Sequence, residues 1–146
     1  MKHILILMTL MLMVASCTTT KNPVSASSGT LQYILTTAKP TYAPGDTLNF
    51  KLTVHNVGST IDTVAIGDAI LCTWSLKNTS GAVMYSAQSP TGNMIGLLPV
   101  APGESKVIDA WTHSLTDSSG SPLPPGSYTF AVDYASHLAS VGLSVQ

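Results

Sequence analysis

From residue 31 onward apolar side chains recur at close to every second position, and no stretch of eleven or more residues carries a helical stripe. Such an alternation sends one face of a strand into a core and the other into water. The clearest case is 47–56, where Leu48, Phe50, Leu52 and Val54 alternate with Asn49, Lys51, Thr53 and His55. The same period returns in Ile70, Cys72, Trp74 and Leu76, and again in Tyr128, Phe130, Val132 and Tyr134. Shorter runs at 31–38, 63–66, 83–86, 107–111 and 139–145 are each bounded by Gly, Pro, Asn, Asp or Ser. Together these predict an all-β chain of about eight short strands, arranged as a sandwich or a barrel.

Turn chemistry supports the same reading. Pro44-Gly45, Pro102-Gly103 and Pro125-Gly126 each lead into a strand. Proline presets φ for the second turn position and glycine takes the positive φ that a type II turn requires. Asn78-Thr79-Ser80-Gly81 is read as the turn joining the Cys72 strand to the Val83 strand. Tyr128, two residues after Gly126, is expected to act as a tyrosine corner.

The first 30 residues follow another pattern. A basic start at Lys2 is followed by an apolar run over 4–14 broken only by Thr9, then by Ala15, Ser16 and Cys17. A membrane span needs about 20 apolar residues, so this shorter run is read as a signal peptide over 1–16. Val14-Ala15-Ser16-Cys17 resembles the bacterial lipobox, which implies a lipid on Cys17. Each buried CH₂ contributes about 0.8 kcal/mol, so two or three acyl chains anchor a protein stably. Residues 17–30, rich in Thr and Ser, are expected to form a flexible tether, and 31–146 the folded domain. The expected location is a bacterial membrane reached by export, the outer one where the source has one.

Composition narrows the functions. Charged residues are 9% of the 146, with six Lys and no Arg against seven Asp and Glu, for a net charge of −1. Nucleic-acid binding requires basic residues clustered on one face, and six Lys balanced by seven acidic residues argue against it. From Cys17 onward 17 Ser and 17 Thr take the place of charges, a composition common in exported β-proteins.

No catalytic constellation emerges. Gly-x-Ser-x-Gly, His-Glu-x-x-His and phosphate-cradling glycine loops are absent. Asp109, His113 and Ser114 supply the residue types of a triad, but such proximity is expected by chance in so serine-rich a chain. His55, His113 and His137 lack ligand spacing for zinc and are read as solvent-facing residues at strand ends, so no metal or cofactor is expected. Cys72 shares a face with Trp74 and Leu76, so it is read as buried and inert. Trp74 and Trp111 are both read as core.

The order of these features is similar to a known family. Tyr42-Ala43-Pro44-Gly45-Asp46, the strand ending Val54-His55-Asn56, Cys72-Thr73-Trp74-Ser75-Leu76, Pro102-Gly103-Glu104-Ser105, Trp111, and the closing segment from Gly120-Ser121-Pro122-Leu123 through Pro124-Pro125-Gly126-Ser127-Tyr128 resemble the BsuPI domain, named for a bacterial intracellular proteinase inhibitor. The resemblance covers about residues 31–134. It implies an immunoglobulin-like antiparallel β-sandwich and, as an expected activity, inhibition of a serine proteinase. The matched residues are turn formers and core residues, so they speak for the fold more than for the activity.

One segment fits no strand. Residues 88–100 are punctuated by Pro90, Gly92, Gly96 and Pro99, yet carry Met94, Ile95, Leu97 and Leu98. Apolar side chains on a loop either cap an open end of the sandwich or meet a partner. As a partner surface, Met94, Ile95 and Leu97 would suit a proteinase pocket that takes apolar side chains; with no Lys or Arg between Pro90 and Pro99, a trypsin-like pocket is not served. The expectation is thus a non-enzymatic, lipid-anchored envelope protein that binds another protein. Its rivals are a structural or adhesin-like accessory sandwich and a small secreted hydrolase.

Overall fold

Strand pairing in the structure, a computed structural model, begins five residues before the expected domain start. The residues described are 26–67, 72–88 and 95–146; the leader, Cys17, Ile70 and Met94 lie outside them. Within the stretch read as tether, β1 (Ala26–Ser28) pairs antiparallel with β2 (Leu31–Thr37). There follow β3 (Thr41–Tyr42), β4 (Thr47–Asn56), β5 (Asp62–Ile66), β6 (Cys72–Asn78), β7 (Val83–Gln88), β8 (Gly96–Val100), β9 (Ser105–Ser114), β10 (Gly126–Tyr134) and β11 (His137–Val145). All eight expected strands are present, and β1, β3 and β8 are additional.

The chain is an all-β, immunoglobulin-like sandwich. One sheet has the order β1-β2-β4-β9, the other β3-β11-β10-β6-β7, and β5 pairs with β8 in a separate ribbon. The inward rows are those the period of two selects: Leu48, Phe50, Leu52 and Val54 face Tyr128, Phe130, Val132 and Tyr134. Phe50 meets Phe130 across the core with ring centroids 4.5 Å apart. A fully buried side chain of this size contributes about 1.5–3 kcal/mol, so these facing rows hold the two sheets together. The β10–β11 hairpin turns on Ala135 and Ser136, both at positive φ.

Two of the three Pro-Gly pairs behave as expected. Gly45 and Gly103 have φ of 78° and 73°, and Asp46 and Glu104 donate backbone bonds to Ala43 and Ala101. The third does not: Gly126 is already in β10, paired with Val145. Here the chain reverses upstream instead, through the bridge between Thr116 and Pro122 and the fully buried Leu115 and Leu123. The Tyr128 hydroxyl donates to the Pro124 carbonyl at 2.7 Å, the expected corner. Asn78 also closes its turn, its Oδ1 accepting from the backbone N–H of Ser80 and Ala82.

The strands along one open side of the sandwich carry bulges. In β9, Thr53 pairs with Val107 but Leu52 with Asp109, leaving Ile108 as the extra residue. In β7, Lys77 pairs with Val83 but Leu76 with Tyr85, leaving Met84. After the β9 bulge, Asp109, Trp111 and His113 lie opposite the inward Leu52, Phe50 and Leu48. Trp111 therefore points toward Trp74, with centroids 4.8 Å apart, but sits on an edge strand and stays 37% exposed. Only Trp74 is a core residue, because β6 lies between β10 and β7 while β9 has a neighbour on one side only.

Candidate partner-binding ribbon

Leu97 lies on a strand, not a loop, and Ile95 immediately precedes it. β8 pairs antiparallel with β5 from Asp62↔Val100 to Ile66↔Gly96. Pro99 is tolerated because an edge strand can spare one N–H, and Gly96 sits at the end of the ladder. With a period of two, the ribbon divides the apolar residues between its faces. Val64 and Val100 are buried and Leu98 packs partly against the core. Leu97 is 71% and Ile95 63% exposed, and Ile61 stands exposed at the opposite end. The two readings of this segment thus apply to different residues: Leu98 and Val100 cap the core, whereas Ile95 and Leu97 cover nothing.

The ribbon is tied down on several sides. The buried Asn56 donates from Nδ2 to the carbonyls of Thr60 and Val100, both at 2.8 Å, and accepts from the Gly58 N–H at 2.8 Å. Lys106 Nζ donates to the Pro99 carbonyl and also pairs with Glu104. The Tyr134 hydroxyl donates to the Ala65 carbonyl at 2.9 Å, while Thr30 Oγ1 donates to Asp62. Hydrogen bonds from Thr30 and the Thr63 N–H hold the Asp62 carboxyl below its usual range. Leu97 and Ile95 therefore project from a fixed support, the arrangement a recognition surface requires.

The residues with triad chemistry do not converge. Strand alternation turns His113 inward and the exposed Ser114 outward. The His113 ring stacks on Tyr85 at 3.9 Å, its Nε2 is buried without a hydrogen-bond partner, and burial lowers its pKa. None of the three histidines is simply solvent-facing. His55 Nδ1 bonds Ser105 Oγ at 2.9 Å, and His137 stacks on Tyr33 at 4.5 Å. Each is half-buried against a partner: His113 on Tyr85, His55 on Ser105 and His137 on Tyr33. Among the described residues no three His, Cys, Asp or Glu side chains gather to hold a metal, and no helix is long and apolar enough to cross a membrane.

Cys72 is 3% exposed, and its thiol is pushed up to about 12, first by burial and then by the neighbouring Asp109. It donates to Asp109 Oδ2 at 3.7 Å and is no nucleophile at neutral pH. Burial also holds the Asp109 carboxyl above its ordinary value, despite hydrogen bonds from the Ala110 N–H, the Trp111 indole and the Cys72 thiol. At low pH Asp109 is protonated in both the folded and the unfolded chain. As pH rises the unfolded chain ionises first, so stability falls through this group. Asp109→Asn, which keeps the shape and removes the charge, is expected to melt above the parent at about pH 7 and level with it at about pH 3. Thermal melts across that range check this, and a gap independent of pH would contradict it.

No protein-family model and no curated protein matches the chain. Among solved structures, a β-glucosidase from Erythrobacter marinus aligns over 80% of this chain and 15% of its own length, at 13% identity and a TM-score of 0.46. An alkylpurine DNA glycosylase from Pseudomonas fluorescens aligns over 82% and 31%, at 10% identity and 0.49. A cycloisomaltooligosaccharide glucanotransferase from Paenibacillus aligns over 77% and 13%, at 15% identity and 0.45. The chain spans less than a third of each of these proteins.

Proposed function

We propose that this chain is an exported, lipid-anchored binding protein that engages a protein partner through the outer face of the β5–β8 ribbon. The observation that carries the reading is the exposure of Leu97 on a ribbon whose other face packs on the core, with Ile95 exposed just before the first residue of β8. Exposed apolar side chains on a rigid support contribute binding energy at little ordering cost. The resemblance to the BsuPI domain directs the choice of partner to a serine proteinase, and the lipobox-like Val14-Ala15-Ser16-Cys17 supports anchoring through Cys17. An apolar ribbon without Lys or Arg suits a proteinase whose pocket takes aliphatic side chains.

The test is a titration of trypsin-like, chymotrypsin-like and elastase-like proteinases with the full-length chain in detergent. Inhibition is expected for one of the latter two and not for the first. Ile95→Ser combined with Leu97→Ser is expected to weaken inhibition at least about tenfold, while each exposed change shifts stability by only about 0.5 kcal/mol. A parent that inhibits none of the panel, or a double variant that inhibits as well as the parent, returns the chain to the accessory-sandwich reading.

A further inference from the structure

A second surface lies away from the ribbon, on the outer face of the sheet formed by β2, β4 and β9. A cavity of about 370 Å³ crosses these three strands. Its geometry follows from the register. Thr37, Phe50 and Trp111 pair across the sheet and turn their side chains toward the core, so their row forms the floor. One wall is the neighbouring row Thr36, Lys51 and Ala110; the other is formed by Asn49 and Thr112. Residues two apart on a strand are separated by about 7 Å and outer strands of a trio by about 10 Å, which gives a slot the width of a sugar ring. The volume lies at the small end of ligand sites, suited to one or two such rings.

The chemistry of the slot is selective. Among the described residues, the Thr36 and Thr112 hydroxyls, the Asn49 carboxamide and the Lys51 ammonium have no protein hydrogen-bond partner, so their capacity is available to a ligand. Lys51 is the single charged side chain in the lining. The outward positions of β4 and β9 hold Thr47, Asn49, Lys51, Thr53 and His55 and Ser105, Val107, Ala110, Thr112 and Ser114, and those of β2 Gln32, Ile34 and Thr36, with no carboxylate among them. No aromatic ring faces outward from the floor, since Phe50 is buried and Trp111 turns to Trp74, so a nucleobase finds nothing to stack on. Hydroxyl and amide groups on opposing walls, one cation and a floor free of acidic groups match a hydroxyl-rich anion. We propose that this slot is a binding site for a saccharide bearing a carboxylate, with Lys51 on the carboxylate and Thr36, Asn49 and Thr112 on hydroxyls.

The experiment titrates the full-length chain in detergent with a glucuronate-containing disaccharide and with its neutral glucose counterpart. Binding is read by calorimetry and by tryptophan emission, because Trp111 borders the slot and the chain has only two tryptophans. The acidic sugar is expected to bind at least about tenfold more tightly than the neutral one, the scale of one charge-assisted hydrogen bond. Lys51→Gln should erase that preference, and Ala110→Leu should fill the slot and abolish binding of both sugars. Neither variant touches the ribbon, so proteinase inhibition serves as an independent readout. Equal affinity for the two sugars, an unchanged preference in Lys51→Gln, or no saturable signal from the parent would each overturn the proposal.

Discussion

Trp74→Ala is expected to lower the unfolding free energy by about 3–5 kcal/mol, read from urea denaturation. The indole is 8% exposed and lies on β6, whose Trp74 pairs with Val132 on one side and Ala87 on the other. Ladders on both sides hold the backbone in place, so the space left by the ring cannot close. Trp111 provides the comparison. It touches Trp74 but stands 37% exposed on an edge strand, so Trp111→Ala leaves a void that opens to water and should cost clearly less. Equal losses would mean that β9 is as enclosed as β6, contrary to the sheet order described above.

The second large effect is expected at Asn56. Its side chain is fully buried and makes three hydrogen bonds at 2.8 Å, to the carbonyls of Thr60 and Val100 and from the Gly58 N–H. Its backbone also bonds Glu104 and Gly103, so one residue joins the end of β4 to the turn that leads from the ribbon into β9. Asn56→Ala should cost about 3 kcal/mol, chiefly from the buried Val100 carbonyl left unpaired. Asn56→Asp should be worse at neutral pH, because an ionised oxygen then faces two carbonyl oxygens. That carboxyl would titrate above its ordinary value, so its deficit should grow as pH rises and shrink as acid restores a donor. Urea titrations of both variants at about pH 4 and pH 7 separate the two effects; losses below about 0.5 kcal/mol in both would show that Asn56 is not the pin of the ribbon.

How much was legible in the sequence depended on how far each strand's environment reached its side chains. In β4, β6 and β10 one face is core and the other is solvent, and the alternation is plain. β1 and β3 span three and two residues, too few to express a period, and are fixed by pairing with β2 and β11. β8 was hidden by Gly96 and Pro99, which punctuate a loop in sequence but are compatible with a strand paired on one side only. Trp111 was misplaced because the Ile108 bulge puts the partly charged row Asp109, Trp111 and His113 inside an open edge, a shift that no local pattern announces. Ile95 and Leu97 are visible in the sequence as apolar residues out of place; the face that Leu97 occupies depends on its pairing with Ala65 of β5, a long-range fact.

The paired bulges also govern how copies of this protein meet. Edge strands with a regular row of unpaired N–H and C=O groups recruit further strands and polymerise. Here Ile108 interrupts that row on β9 and Met84 on β7, while the Met84 carbonyl is taken by the Ser118 N–H. Asp109, a polar carboxyl facing inward beside the bulge, adds a further departure from a flat apolar edge. A hydroxyl-rich chain with a net charge of only −1 has little mutual repulsion to keep its copies apart. The two bulges thus deprive β7 and β9 of the regular row of unpaired groups that another strand would need, and the β9 bulge also sets which of its residues face Trp74.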